Sequence, residues 1–284
     1  MRRPFFFTTL VLLCTVSIAY GNPVGKSAEE QPASAAPPLA RVRIIHQGMT
    51  RVSRYASSLA LGTRAATVAA GVLPVVDQPD IEEDDRILLD KIFRALPALC
   101  RENLEHVIVR YDPSAERGQA TATTMLLRGP LWNLSAKKKM EMIGVITHEC
   151  GHIMSLNALA GLASDGMSNY PDGHIPTYNG PAARFYSISW KNAEEMRKGA
   201  KSGDFVSGYA KENPFEDIAE TITYYLLQRA AFEERAESNS ILALKLQWAE
   251  TSIDDPLFRA PLSSTNWDRR IPWDVTKLAH ALAL

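Results

Sequence analysis

The residues best suited to chemistry are His148, Glu149 and His152, in the run Thr147-His148-Glu149-Cys150-Gly151-His152. Two imidazoles four positions apart on a helix share a face, about 40° out of line, and can point at one metal ion. Glu149 is turned about 100° from His148, too far to join as a ligand but near enough to reach a water on the ion. This is the His-Glu-x-x-His spacing of zinc peptidases. The competing reading is a core helix with two ordinary histidines, so support must come from elsewhere in the chain. Cys150, about 200° round from His148, faces the core. Gly151 costs about 1 kcal/mol in a helix interior relative to alanine. Room for another element against the helix backbone is the expected compensation.

A zinc site needs a third protein ligand and an open position. The best source is the helix start Asn213-Pro214-Phe215-Glu216. Asn213 caps, Pro214 takes the first helical position, and Glu216 stands at the capping-box position. Glu216 and Glu220 share a face with Ala219 and Thr223. Glu216 would complete the site, and Ala219 is small enough to let its helix approach Gly151. Glu220 could accept the free ring N–H of a zinc-bound histidine. Alternatively, Glu216 is only a capping acid and Glu220 a solvated charge. The apolar residues around both argue against that, because a buried carboxylate needs a partner.

Tyr209-Ala210, Asn213, Glu216 and Ala219-Glu220, downstream of the two histidines, resemble the zinc-site pattern of the gluzincin metallopeptidases that include the catalytic domain of anthrax lethal factor and the Pro-Pro endopeptidases. The resemblance covers roughly residues 125–229 and is specific at its two motifs. It implies that His148, His152 and Glu216 bind Zn²⁺ and that Glu149 is the general base. It further implies that Tyr209 stabilises the oxyanion and that Glu220 supports a ligand. Tyr209 also reads as a core tyrosine with a satisfied hydroxyl, and Tyr178, Tyr224 and Tyr225 are alternative donors. The glycine-rich stretch Gly161 to Gly180 departs from the family pattern and leaves substrate preference open. His174 within it is either a substrate contact or an ordinary loop histidine.

The elements that must position these residues are legible in outline. The histidine-bearing helix is expected from the N-cap Ser135 to about Leu156, with no proline inside it. Leu104 to Tyr111 reads as a strand, Ala120 to Arg128 as a second, and Leu131 to Leu134 as a third. An apolar stripe of Ile81, Leu88, Ile92 and Leu96 marks an earlier helix. Further helices are expected within Arg184 to Lys201, from Asn213 to about Arg229, over Ala231 to Glu237 and over Asn239 to Glu250. The fold class is therefore α+β: a small mixed β-sheet packed on the His-Glu-x-x-His helix, then a mainly helical C-terminal part carrying the third ligand, a zincin-like arrangement. A substrate peptide is expected to lie along the Thr121 to Arg128 strand and extend the sheet. The stretch after Asp254 offers no functional reading.

The 284 residues are 46% hydrophobic and 22% charged with a formal charge of −1, an ordinary globular composition without the basic block that nucleic acid would need. Arg2 and Arg3 precede an apolar run from Phe5 to Ala19, and Ala19-Tyr20-Gly21 supplies small residues for cleavage. Residues 1–21 thus read as a signal peptide, with an uncleaved anchor as the competing reading. Residues 22–40 read as a disordered linker or propeptide, and 41–284 as one metallopeptidase domain with an N-terminal extension over 41–76. The expected protein is secreted or periplasmic, with no stable membrane insertion once the signal is removed. Export leaves two readings for Cys100 and Cys150, a disulfide or two buried thiols, and the core-facing position of Cys150 favours thiols. The expected function is a zinc-dependent endopeptidase acting on peptides or proteins. Its rivals are a secreted zinc-binding interaction protein without activity and a metallohydrolase of cell-wall peptides.

Overall fold

A computed structural model describes residues 80–131, 134–172, 177–253 and 270–278. The expected signal peptide, linker and N-terminal extension, and His174, lie outside the described residues. Seven helices and three strands follow one another: α1 (Glu83–Arg94), α2 (Ala98–Arg101), β1 (His106–Arg110), β2 (Gly118–Ala120), β3 (Thr124–Arg128), α3 (Ala136–Leu156), α4 (Pro181–Ser189), α5 (Pro214–Leu227), α6 (Arg229–Glu237) and α7 (Ser240–Ser252). The described residues are thus mixed α+β with a single three-stranded sheet, in strand order β1-β3-β2. No helix among them is long and apolar enough to cross a membrane.

The sheet departs from the expected pattern in one way that matters for a substrate. Residues 120–128 do not form one strand. The hydroxyl of Thr121 accepts the N–H groups of Thr123 (3.4 Å) and Thr124 (3.0 Å), and this side-chain-supported turn folds β2 back on β3. β3 is therefore the central strand, parallel to β1 and antiparallel to β2, and has no edge to offer a peptide. β1 and β2 are the edge strands, and β2 is the one that approaches Glu149. The Arg117 carbonyl and the Thr121 amide are turned inward, toward Arg128 N (3.1 Å) and Thr124 O (2.8 Å). By the alternation of antiparallel ladders, Gly118 and Ala120 turn their N–H and C=O groups outward. No strand forms at Leu131 or Leu134; the Leu131 N–H instead donates to the fully buried carboxylate of Asp85 (2.7 Å), joining α1 to the end of the sheet.

Helix α3 begins as expected, with Ser135 Oγ accepting the N–H of Lys138 (3.4 Å). It is buried without a break from Met142 to Ser155, because α5 covers one side while α2, β2 and β3 cover others. On the side away from the histidines, Cys150 meets Cys100 of α2, and the two form a disulfide with Cα atoms 5.5 Å apart. This corrects the preference for free thiols. Cys150 does face the core, but another fully buried cysteine is packed against it there.

Helix α4 also ends earlier than expected. Trp190 leaves it in extended conformation and pairs with Met196. Between them the Asn192 side chain accepts the N–H groups of Glu194 and Glu195 (2.9 Å each), which closes a turn instead of continuing the helix.

The C-terminal helices are held by charges sealed in the core. Lys245 of α7 lies 2.8 and 2.7 Å from the carboxylate oxygens of Asp217 on α5, with both side chains fully buried. The Trp190 indole N–H also donates to Asp217 (3.0 Å). Arg235 of α6 donates to the carbonyls of Phe205 (2.7 Å) and Val206 (2.8 Å), and Lys245 stands 4.2 Å from the centre of the Phe205 ring. Together these pin the segment 205–208, which leads directly into Tyr209.

Candidate metal centre

Helix α5 starts where its capping signal says it should. Asn213 Oδ1 accepts the N–H groups of Phe215 and Glu216 (2.9 Å each), which places the Glu216 carboxylate in a first turn whose dipole favours it. Helices α3 and α5 meet closely. A Cβ on Gly151 would sit 2.8 Å from the Ala219 Cα, so only glycine allows this approach. A Gly151→Ala variant is expected to lose about 1–3 kcal/mol of stability through backbone separation, even though alanine is the better helix former. Thermal unfolding and metal content measured together check this, and a stabilised variant would overturn it.

The close approach gathers three ligand atoms. Glu216 Oε2 lies 3.1 Å from His148 Nε2 and 3.4 Å from His152 Nε2, and the two nitrogens are 3.2 Å apart. A tetrahedral ion with bonds of about 2.0–2.1 Å has ligand–ligand edges of roughly 3.3 Å, so this triangle has the size of one coordination face. Hydrogen bonding alone fits it less well. With Glu216 ionised, every assignment of protons leaves at least one edge where like faces like, two N–H groups or two lone pairs. A cation at the centre removes the conflict. His148, His152 and Glu216, all buried, could therefore hold a metal ion. Burial by itself would raise the Glu216 carboxyl, but His152 and His148 outweigh it and hold the group well below the usual carboxylate range.

Glu220 fixes the orientation of His148. Its Oε1 takes the Nδ1 side of His148 at 2.9 Å, which leaves the Nε2 lone pair for an ion. Its Oε2 accepts the Ser207 hydroxyl (2.5 Å) and the Val275 N–H (3.0 Å). Burial disfavours an imidazolium at His148, but the two carboxylates prevail and push its pKa well above the ordinary value.

Glu149 and Tyr209 face a common cavity of about 230 Å³ beside His148. Strand β2 comes close enough that a Cβ on Gly118 would lie 2.6 Å from Glu149 Oε1. Burial pushes the Glu149 carboxyl up, with the charges of His148 and His152 pulling the other way. The Tyr209 ring centre is 6.0 Å from that of His148. Burial, followed by the negative charges of Glu216 and Glu149, raises its phenol so that it stays a proton donor. The other tyrosines considered as donors lie elsewhere: Tyr224 is buried against Phe232, Tyr225 lies beneath Arg229, and Tyr178 lines a different cavity.

Several contributors had no signal in the sequence. Gly118 sits at a strand edge, and Ser207 lies in an irregular segment. The wall of the cavity is completed by Trp273, Asp274, Thr276 and Lys277, from a stretch that offered no reading. This segment accepts the Gly208 N–H at Pro272 O (2.8 Å) and the Tyr209 N–H at Trp273 O (2.7 Å). Arg117 ties it down by pairing with Asp274 and donating to Thr276 (3.1 Å), while also meeting Glu141 (2.7 Å). Compared with protein-family models, curated proteins and solved structures, the chain shows no significant similarity to any.

Proposed function

We propose that the chain is a secreted zinc-dependent endopeptidase of the gluzincin type, with a zincin-like arrangement of sheet and active-site helix. The observation that carries this reading is the convergence of His148, His152 and Glu216 on one point, with Glu149 and Tyr209 on the cavity beside it. The donor set suits zinc: two imidazole nitrogens, one carboxylate and an open side toward the cavity. The disulfide between Cys100 and Cys150 supports export to an oxidising compartment.

When bound, zinc would supply Lewis acidity and bring the pKa of a water to near 7. Glu149 takes the proton of the attacking water and passes it to the departing amine. The Tyr209 hydroxyl donates to the oxyanion that develops on the former carbonyl. Glu220, braced by Ser207 and Val275, keeps the His148 ring in one tautomer and one orientation. The outward groups of Gly118 and Ala120 offer an extended peptide a strand to pair with, next to Glu149.

The mature protein, incubated with a mixed peptide library, is expected to cleave peptides internally and to stop when a zinc chelator is added. Turnover that ignores the chelator, or none from zinc-loaded protein, contradicts the reading. A Tyr209→Phe variant is expected to keep its zinc and slow by a factor of about 10²–10³, the usual loss for one oxyanion donor. An unchanged rate removes Tyr209 from the mechanism.

A further inference from the structure

Helix α4 and the segment after it border a cavity of about 600 Å³ lined by Arg184, Lys191, Arg197 and Lys198, with no carboxylate among the described lining residues. The chain as a whole holds 31 basic and 32 acidic residues, so this local excess does not reflect a basic protein. The frame that gathers the cations is well tied. The Tyr170 hydroxyl donates to Trp190 O (3.0 Å), and the Arg197 main-chain N–H donates to Ser189 O (2.9 Å), which fastens the segments on either side to the end of α4. The Arg197 side chain donates from Nε to Ser187 O (2.6 Å) and makes no further hydrogen bond to a described residue.

Like charges brought together repel one another, and an anion seated among them removes that cost. Lys191 has a partner in Glu195 (2.8 Å), but both side chains are more than half exposed, and such a pair holds weakly enough for a bound anion to compete with it. Arg184, Arg197 and Lys198 are exposed and form no ion pair with the described residues. A guanidinium grips one phosphate through two parallel N–H groups, and lysines add point charge. Two arginines beside two lysines therefore suit a ligand with more than one such group. Small-molecule sites of similar size, about 300–1,000 Å³, are mostly apolar, so a cationic one selects for charge. The cations border one cavity instead of following a line, which fits a compact anion better than an extended acidic peptide.

We infer that this cavity is a binding site for a compact anion carrying two or more phosphate groups, either free in solution or as the headgroup of a lipid. None of the residues proposed to hold or use zinc lines it, so the inference stands apart from the peptidase reading. Arg184 and Arg197 are its principal grips, and Lys191 and Lys198 complete the charge.

Calorimetric titration of the purified mature protein with inositol trisphosphate tests the free form. Sedimentation with phosphatidylcholine vesicles doped with phosphatidylinositol bisphosphate tests the lipid form. Binding in at least one arm is expected. Arg184→Gln combined with Lys198→Gln changes two exposed positions outside the hydrogen bonds of the frame, and is expected to weaken binding by at least about tenfold through lost charge-assisted hydrogen bonds. Lys137→Gln combined with Lys138→Gln removes the same charge from exposed positions at the start of α3 and is expected to leave the affinity unchanged. Soluble binding alone identifies a free phosphate ester and vesicle binding alone a lipid headgroup; either supports the site. Absence of binding in both arms overturns the inference, as does an equal loss from the two variant pairs or no loss from the first. An Asp-rich peptide that binds more tightly than inositol trisphosphate, and loses that affinity in the Arg184 and Lys198 variant, overturns it in favour of an acidic peptide.

Discussion

Replacing Glu149 with glutamine is expected to lower the peptide cleavage rate by a factor of about 10²–10⁴ while leaving zinc bound, the range over which a positioned general base contributes. The isosteric amide keeps the volume that β2 and Val145 pack around, so the fold should survive. Gly118 approaches this side chain so closely that a bulkier replacement would push on the strand, which is why glutamine is the informative choice. What glutamine lacks is the ability to accept a proton. Burial raises the Glu149 carboxyl, which makes it a better base than an exposed glutamate, and the neighbouring histidines limit the rise. Zinc content and single-turnover cleavage measured on one preparation separate the roles. Activity retained at full metal content takes Glu149 out of the chemistry, and loss of metal together with activity makes it a structural residue instead.

The second large effect lies away from the ligands. A Lys245→Met variant is expected to lose about 3–5 kcal/mol of stability, because it strands the Asp217 charge in a dry core. Burial raises the Asp217 carboxyl and lowers the Lys245 ammonium, so each group is charged at a cost that its partner offsets. Against a typical total of about 5–15 kcal/mol, that loss is a large share. It should also reach the metal centre, since Lys245 lies over Phe205 and the following residues carry Ser207 and Tyr209. Converting both members, Asp217→Leu with Lys245→Met, is expected to recover most of the loss, because no lone charge then remains. Denaturant midpoints of the two single variants and the double variant test this. A single-variant loss under about 1 kcal/mol, the range of an exposed pair, contradicts it.

The cluster of His148, His152 and Glu216 was legible because its geometry is mostly local. The spacing of His148 and His152 puts them on one face of any helix, and Asn213-Pro214 announces where α5 must start and hence where Glu216 stands. Even the meeting of Gly151 with Ala219 could be read, because two small residues on facing helices leave few other arrangements. What escaped depends on contacts between distant parts of the chain. Arg117 and Asp274 are 157 positions apart, and nothing local at either residue indicates the other. Cys100 and Cys150 are 50 apart, so whether they join depends on where α2 lands on α3. The hairpin at Thr121 was hidden by β-favouring residues on both sides of a turn that a threonine hydroxyl stabilises. In the same way the 205–208 segment has no periodicity; its course follows from Arg235 and Lys245, on helices that come later in the chain.

The most direct test is the zinc stoichiometry of the purified mature protein and of its Glu216→Ala variant, measured by elemental mass spectrometry after dialysis against a zinc buffer. One zinc per chain is expected for the unaltered protein, with a drop well below one for the variant, since on this account Glu216 of α5 would be the third ligand beside the two histidines of α3. No zinc in the unaltered protein, or a variant that holds it equally well, would contradict a metal centre built from these three residues.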